Sequence, residues 1–239
     1  MINYFQSQRL AASAGVPPEI IEKDYFIEFI LLYIAKDSDL KERLIFRGGT
    51  ALRKIYFSDY RFSEDLDFLV ANTENLKDYI NIIGHIIEKI NLEFPYNLKA
   101  RFEFENERLQ LFISYDIIPE IRAAKELKLD ILKDSYIPPT LKKGILFVYE
   151  AFRGEKADLR IYTLESVVVD KICRILDVDN EPRDLYDLWY LLRLGFDERK
   201  IKQGFRKKIG YDIYYPNLLN AIKNDDYRRN WEIRLTKQI

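Results

Sequence analysis

Apolar residues return every three or four positions across residues 18–36, where Ile20, Ile21, Tyr25, Phe29 and Leu32 share one face and Glu28 lies near its edge. That spacing predicts a helix. A shorter helix over 3–14 precedes it, and Gly15-Val16-Pro17-Pro18 separates the two with ordinary stop and start residues. Residues 44–46 read as a short strand, 50–56 as a helix and 65–70 as the next strand. A long helix over 75–92 carries Ile80, Ile83, Ile87 and Ile90 on one side. Apolar and polar positions alternate through 100–105 and 108–118, which predicts a hairpin. Another strand covers 127–132, and Pro138-Pro139 breaks the chain. The pattern after Thr163 is helical: 164–176, 184–194, then a looser basic stretch ending in a helix near 217–228. Within 184–194, the spacing of Leu185, Leu188, Trp189 and Leu192 marks the expected core face. No repeat or low-complexity segment interrupts this order, and the fold class expected is α+β.

Composition narrows the chemistry. The chain has 239 residues, 48% hydrophobic and 32% charged, which is globular composition. Cys173 is its one cysteine and His85 its one histidine, so an internal disulfide, a cysteine zinc site and a histidine cluster are all excluded. Any metal must bind carboxylates, which suit Mg²⁺ or Mn²⁺. The opening MINYFQSQRLAAS lacks the form of a signal peptide, and the most apolar run, 26–35, is too short to span a bilayer. A cytoplasmic protein with no membrane partner is expected. The net charge of −1 conceals an asymmetry: residues 199–239 carry 11 Lys/Arg against 4 Asp/Glu, or +7, and the remainder carries −8.

Two motifs carry the candidate chemistry. In Phe46-Arg47-Gly48-Gly49-Thr50 a strand runs into a helix, and paired glycines allow a tight turn whose amides can face a phosphate. In Arg61-Phe62-Ser63-Glu64-Asp65-Leu66-Asp67-Phe68, alternation puts Asp65 and Asp67 on the same face of a strand. Two close carboxylates repel unless a cation lies between them, and phosphoryl-transfer sites hold Mg²⁺ in this way. Fifteen residues separate Gly49 from Asp65, enough for a helix and a return loop. A third carboxylate from a later strand would complete such a site. Asp130, which shares its face with Lys128, is the candidate, and Asp116 is the rival.

The run FRGGTALRKIYFSDYRFSEDLDFLV resembles the signature of the AbiEii/AbiGii-type nucleotidyltransferase toxins of toxin–antitoxin and abortive-infection systems. The likeness extends to Ile21-Glu22-Lys23-Asp24-Tyr25 upstream, and downstream to Leu164-Glu165 through Asp170-Lys171 and to Pro182-Arg183-Asp184-Leu185-Tyr186-Asp187-Leu188. It implies a nucleotidyltransferase fold with N-terminal helices over residues 1–150, and a helical domain over 151–239 that closes the cleft. It also implies Mg²⁺-dependent transfer of NMP from an NTP to an acceptor hydroxyl, with a tRNA 3′ end as the leading acceptor and a cognate antitoxin as partner. Phage defence would be its setting and a monomer its state. By the same resemblance Asp65, Asp67 and Asp130 hold metal. Arg47, Gly48, Gly49, Thr50, Lys54, Ser63 and Lys171 bind the nucleotide, and Asp184 is the second-domain acid, with Asp187 still open. A protein or small-molecule acceptor, or a regulator without turnover, remains the alternative.

The other singled-out residues have plainer readings. Cys173 reads as packing and His85 as a surface imidazole. In the basic tail, Arg206, Lys207 and Lys208 are RNA-binding candidates, with Phe205, Tyr211, Tyr214 and Tyr215 available to stack on unpaired bases. An acidic antitoxin could dock there instead.

Overall fold

The structure, a computed structural model, describes residues 1–177 and 181–239. They divide into two compact units: Met1–Ile137 with Lys142–Ile161, and Pro138–Leu141 with Tyr162–Ile239.

The first unit begins with α1 (Tyr4–Ala14), whose start is fixed by reciprocal bonds between Asn3 and Gln6 and whose end is Gly15 in the left-handed region. In α2 (Pro18–Lys36), every residue from Tyr25 to Leu32 is buried. A helix that is apolar nearly all round must be wrapped by the rest of its unit. A short α3 (Ser38–Arg43), capped by Asp37, leads into β1 (Ile45–Arg47). Then come α4 (Gly48–Ala51), continued by a π turn over Leu52–Tyr56, β2 (Asp65–Ala71) and α5 (Leu76–Glu93). The remaining strands are β3 (Lys99–Glu105), β4 (Arg108–Ser114), β5 (Glu126–Asp134), β6 (Thr140–Gly144) and β7 (Asp158–Tyr162).

The sheet order is β3-β4-β5-β2-β1-β7-β6. Strands β2 and β5 run parallel, as do β1 and β7, while β1–β2, β3–β4 and β4–β5 are antiparallel. In the chain up to Tyr162, α3, β6 and β7 escape the hydrophobic pattern. The sequence of β6, TLKKG, shows no apolar alternation, because it forms an exposed sheet edge. The second strand of the hairpin ends at Ser114 rather than 118, and the chain turns away there.

The core of the first unit contains charge. Lys54 Nζ lies 2.7 Å from Asp24 Oδ2 and 2.8 Å from Glu28 Oε1, with all three side chains at 1% exposure or less. Arg53 Nε donates to Asp24 at 3.1 Å, and the Tyr149 hydroxyl donates to Asp24 at 2.9 Å. The amides of Val148 and Tyr149 donate to Glu28. Burial opposes ionisation of Asp24, yet Lys54 and Arg53 hold its carboxyl below the ordinary range; burial pushes Glu28 above it. Glu22, on the same helix, accepts from the Ile117 and Ile118 amides and pairs with Lys125 at 3.0 Å. The motif Ile21-Glu22-Lys23-Asp24-Tyr25 therefore anchors α2 to the turn after α4 and to the loop after β4.

In the second unit, α6 (Leu164–Leu176) is buried without interruption from Ser166 to Cys173, with α7 (Pro182–Leu192), α8 (Glu198–Ile209) and α9 (Tyr215–Ile222) packed on it. Helix α10 (Asp226–Arg234) packs on α7. The basic stretch is thus a regular helix, not a loose segment. Ile201 and Phe205 face inward, and a Cβ on Gly204 would come within 3.1 Å of Val169 Cγ2. The core face of α7 is also rotated from the expected one. Asp184, Asp187, Leu188 and Leu191 are buried, while Trp189 and Leu192 are 52% and 54% exposed. The i, i+3, i+4, i+7 spacing fits that face equally well once two acids are admitted to it. Among the described residues no helix is long and apolar enough to cross a membrane.

Replacing Lys54 with alanine strands two buried carboxylates. The expected loss is about 3–5 kcal/mol of unfolding free energy, read as a lower denaturant midpoint. An unchanged midpoint would show that the cluster contributes no stability.

Candidate active site

The site is assembled by strand register. Arg47 on β1 pairs with Asp67 on β2, Asp67 pairs with Asp130 on β5, and Asp130 pairs with Gln110 on β4. Paired residues project to the same side of a sheet, so these four stand in a row across four strands. Asp65, two residues before Asp67, lies on the same face beside its partner Lys128. Leu66 and Phe68, on the opposite face, are fully buried. Asp116 lies beyond the end of β4, exposed and paired with Lys125 at 2.6 Å, so it is not in the row.

The glycine turn abuts this row. Gly48 has φ +81°, and a Cβ there would lie 2.5 Å from Asp67 Oδ2. A Cβ on Gly49 would meet Arg61 Nη2 at 2.7 Å and Ser63 Oγ at 3.3 Å. Both glycines are therefore required by the protein's own side chains as well as by any phosphate. The Thr50 hydroxyl donates to the Asp65 carbonyl, which ties the turn to the strand bearing the carboxylates. Arg61 is 5% exposed and donates to the Phe62 carbonyl; the Arg53 guanidinium stacks 3.7 Å from the Phe62 ring centroid. No local pattern marks Arg61 as a neighbour of Gly49, because a loop sets that approach.

Several expected nucleotide contacts are engaged elsewhere. Lys54 is buried between Asp24 and Glu28, so it does not reach the glycine turn. Lys171, which the resemblance assigns to the nucleotide, is buried, 2.6 Å from Asp184 Oδ1 and 2.7 Å from Asp187 Oδ2. Arg174 Nε adds a bond to Asp184 at 2.6 Å. Burial opposes ionisation of Asp184, but Lys171 and Arg174 hold its carboxyl below the ordinary range. Asp184 and Asp187 thus share one role in the structure, as partners of one lysine. In the tail, Arg206 and Lys207 are exposed, whereas Lys208 is ion-paired with Asp170 and Phe205 is buried, unable to stack on a base. Tyr211 and Tyr214 are both 63% exposed. Cys173 is buried and His85 exposed.

Asp130 is also occupied. Arg108 Nη2 donates to its Oδ2 at 2.6 Å, Lys128 lies 3.1 Å from the same oxygen, and Gln110 Nε2 donates to Oδ1 at 2.9 Å. Burial would raise its pKa, but these three donors hold the carboxyl below the ordinary range. Among the described residues, no group of three Asp, Glu, His or Cys side chains is set to hold a metal. Asp65 and Asp67 together still fit Mg²⁺. They are adjacent hard-oxygen donors, both half-buried, and this ion commonly binds through one or two carboxylates and completes its shell with water and substrate phosphates.

A mixed sheet with a glycine turn entering a short helix, followed by a strand bearing Asp-x-Asp beside that turn, defines a nucleotidyltransferase. The chain belongs to the nucleotidyl transferase AbiEii toxin family of type IV toxin–antitoxin systems, which it matches over residues 30–238. Its fold is similar to that of MenT4, a nucleotidyltransferase toxin from Mycobacterium tuberculosis, with a TM-score of 0.64 and 19% identity over 85% of this chain and 70% of that one. It is similar also to a candidate nucleotidyltransferase from H. pylori, with a TM-score of 0.50 and 17% identity over 92% and 99% of the two chains. No curated protein matches the chain in sequence.

Two outcomes follow from this geometry. Gly48→Ala forces Cβ against Asp67 and places alanine at a positive φ, so nucleotidyl transfer should fall at least tenfold and stability by about 1 kcal/mol or more; a variant with wild-type turnover would remove the constraint. Lys171→Ala leaves two buried acids without their lysine, so the second unit should lose about 3–5 kcal/mol. Because the Asp184 pKa is depressed in the fold, its contribution is present above the ordinary carboxylate range and is lost as pH falls through the lowered value. Denaturant titrations of the wild type and Lys171→Ala should therefore converge at low pH, and a constant gap would contradict the pairing.

Proposed function

We propose that this AbiEii-family toxin transfers a nucleoside monophosphate from an NTP to the 3′-terminal hydroxyl of a tRNA, releasing pyrophosphate. The observation that carries the reading is Asp67, half-buried beside Gly48 and in register with Arg47. Asp65 and Asp67 would hold Mg²⁺, which when bound supplies charge neutralisation at the phosphates. The amides of Gly48 and Gly49 present donors to the triphosphate, with Ser63 close by. The acceptor hydroxyl attacks the α-phosphorus, its proton passes to solvent, and the bond from that phosphorus to the pyrophosphate oxygen breaks. A direct contact between Lys171 and the triphosphate would require breaking its bonds to Asp184 and Asp187. In this reading those residues order the unit that carries the basic helix.

The exposed Arg206 and Lys207, with Tyr211 and Tyr214 beyond the helix end, supply phosphate contacts and stacking surfaces for single-stranded RNA. The protein acts as a cytoplasmic monomer held in check by its cognate antitoxin.

The test is incorporation of α-labelled NTP into purified tRNA. Asp67→Asn should abolish labelling at unchanged thermal stability, and labelling by that variant would overturn the site. Arg206→Gln with Lys207→Gln should lower tRNA affinity and reduce the salt slope by about two phosphate contacts while NTP binding is unchanged. Identical salt curves would assign the basic helix to another partner, such as an acidic antitoxin.

A further inference from the structure

On the sheet face that carries the Asp pair, the third carboxylate has both oxygens filled by the protein itself. Asp130 Oδ2 receives Arg108 at 2.6 Å and Lys128 at 3.1 Å, and Oδ1 receives Gln110 at 2.9 Å. The Asp130 side chain is 7% exposed, so water cannot readily replace these donors. All four residues project to one side, because Arg108 and Gln110 alternate on β4 while Lys128 and Asp130 alternate on β5. Lys128 is moreover the register partner of Asp65, so the cage abuts the carboxylate pair directly. By contrast, Asp67 makes no hydrogen bond or ion pair among the described residues, although it is the register partner of Asp130.

A metal bound by all three carboxylates would have to strip Asp130 of two charge-assisted bonds and one amide bond. Hydrogen bonds to an ionised group are the strong ones, so such a loss would be costly. Two cations facing one carboxylate also leave the cage with a net positive charge. It therefore repels a second divalent ion and attracts an anion.

We infer that this toxin holds a single divalent cation on Asp65 and Asp67, and that Arg108, Lys128 and Gln110 keep Asp130 out of the metal's shell, so that Arg108 and Lys128 form a fixed cationic wall for the triphosphate where a second metal would otherwise stand. Arg108 and Lys128 are then positioning residues for the anionic substrate, and Asp130 is their anchor. The inference rests on the assignment of Asp65 and Asp67 as the metal carboxylates.

Mn²⁺ titration of the nucleotide-free protein, followed by loss of the free-ion paramagnetic resonance signal, tests it without reference to turnover. The wild type should bind one equivalent. Asp67→Asn should weaken that binding at least tenfold. Asp130→Asn, which keeps the size of the side chain, should change it less than twofold. The double variant Arg108→Gln, Lys128→Gln should gain affinity or a second equivalent, because Asp130 is released to ligate. Its affinity for a non-hydrolysable NTP in Mn²⁺ should fall at least tenfold. If Asp130→Asn weakens Mn²⁺ as much as Asp67→Asn does, or the wild type binds two equivalents, the inference is overturned while the Asp65–Asp67 site stands. If Asp67→Asn binds Mn²⁺ normally, the site assignment itself fails. Each variant's circular dichroism and melting temperature accompany the titration, and Asp130→Asn alone suffices should the double variant not fold.

Discussion

Like-charge repulsion on one face of a sheet is the constraint around which the first unit is organised. Asp65, Asp67 and Asp130 lie within two residues and one strand spacing of one another. Left alone they would push neighbouring strands apart. The fold answers in two ways. Arg108, Lys128 and Gln110 neutralise the carboxylate farther from the glycine turn. In the function proposed above, a cation brought with the substrate offsets the charge of the nearer pair. The hydrogen bond from Thr50 to the Asp65 carbonyl and the close approach of Gly48 to Asp67 then lock the glycine turn to that pair.

The same device, one lysine between two buried acids, appears in both units. Lys54 joins Asp24 and Glu28, and Lys171 joins Asp184 and Asp187. Each lysine belongs to a stretch that resembles the family signature, which assigns it to the nucleotide, and the structure holds each between two buried carboxylates. A lysine held by two carboxylates fixes the relative rotation of two helices, because displacing either leaves an uncompensated charge. Helices α2 and the α4 turn are fixed in this way, as are α6 and α7.

Much of this was legible in the sequence. The alternation in Asp65-Leu66-Asp67-Phe68 placed both carboxylates on one face, and the apolar periods located α1, α2, α5 and α6 to within a residue or two. What escaped depended on partners distant in the chain. Lys128 and Asp130 were seen to share a face, but the contribution of Arg108 needs the hairpin register, which local alternation does not set. The core face of α7 differs from the one that Leu185, Leu188, Trp189 and Leu192 mark, because a buried lysine draws Asp184 and Asp187 inward. Phe205 read as a stacking ring for RNA, yet with Ile201 it forms the inner stripe that turns the basic stretch into a packed helix.

The strand order also governs when the site can exist during synthesis. Strand β1, which delivers Arg47 and the glycine turn, is flanked by β2 on one side and by β7 on the other, with Ile45 paired to Arg160. Strand β2 in turn needs β5, more than sixty residues downstream, to bring Asp130 beside Asp67. Such non-local pairings form late, since the loop between them must close first. A chain still emerging from the ribosome cannot complete the row of Arg47, Asp67, Asp130 and Gln110 until β5 has appeared, nor secure β1 until β7 has. The topology thus gives a growing toxin an inactive period, and with it an interval in which an antitoxin can arrive before there is anything to inhibit.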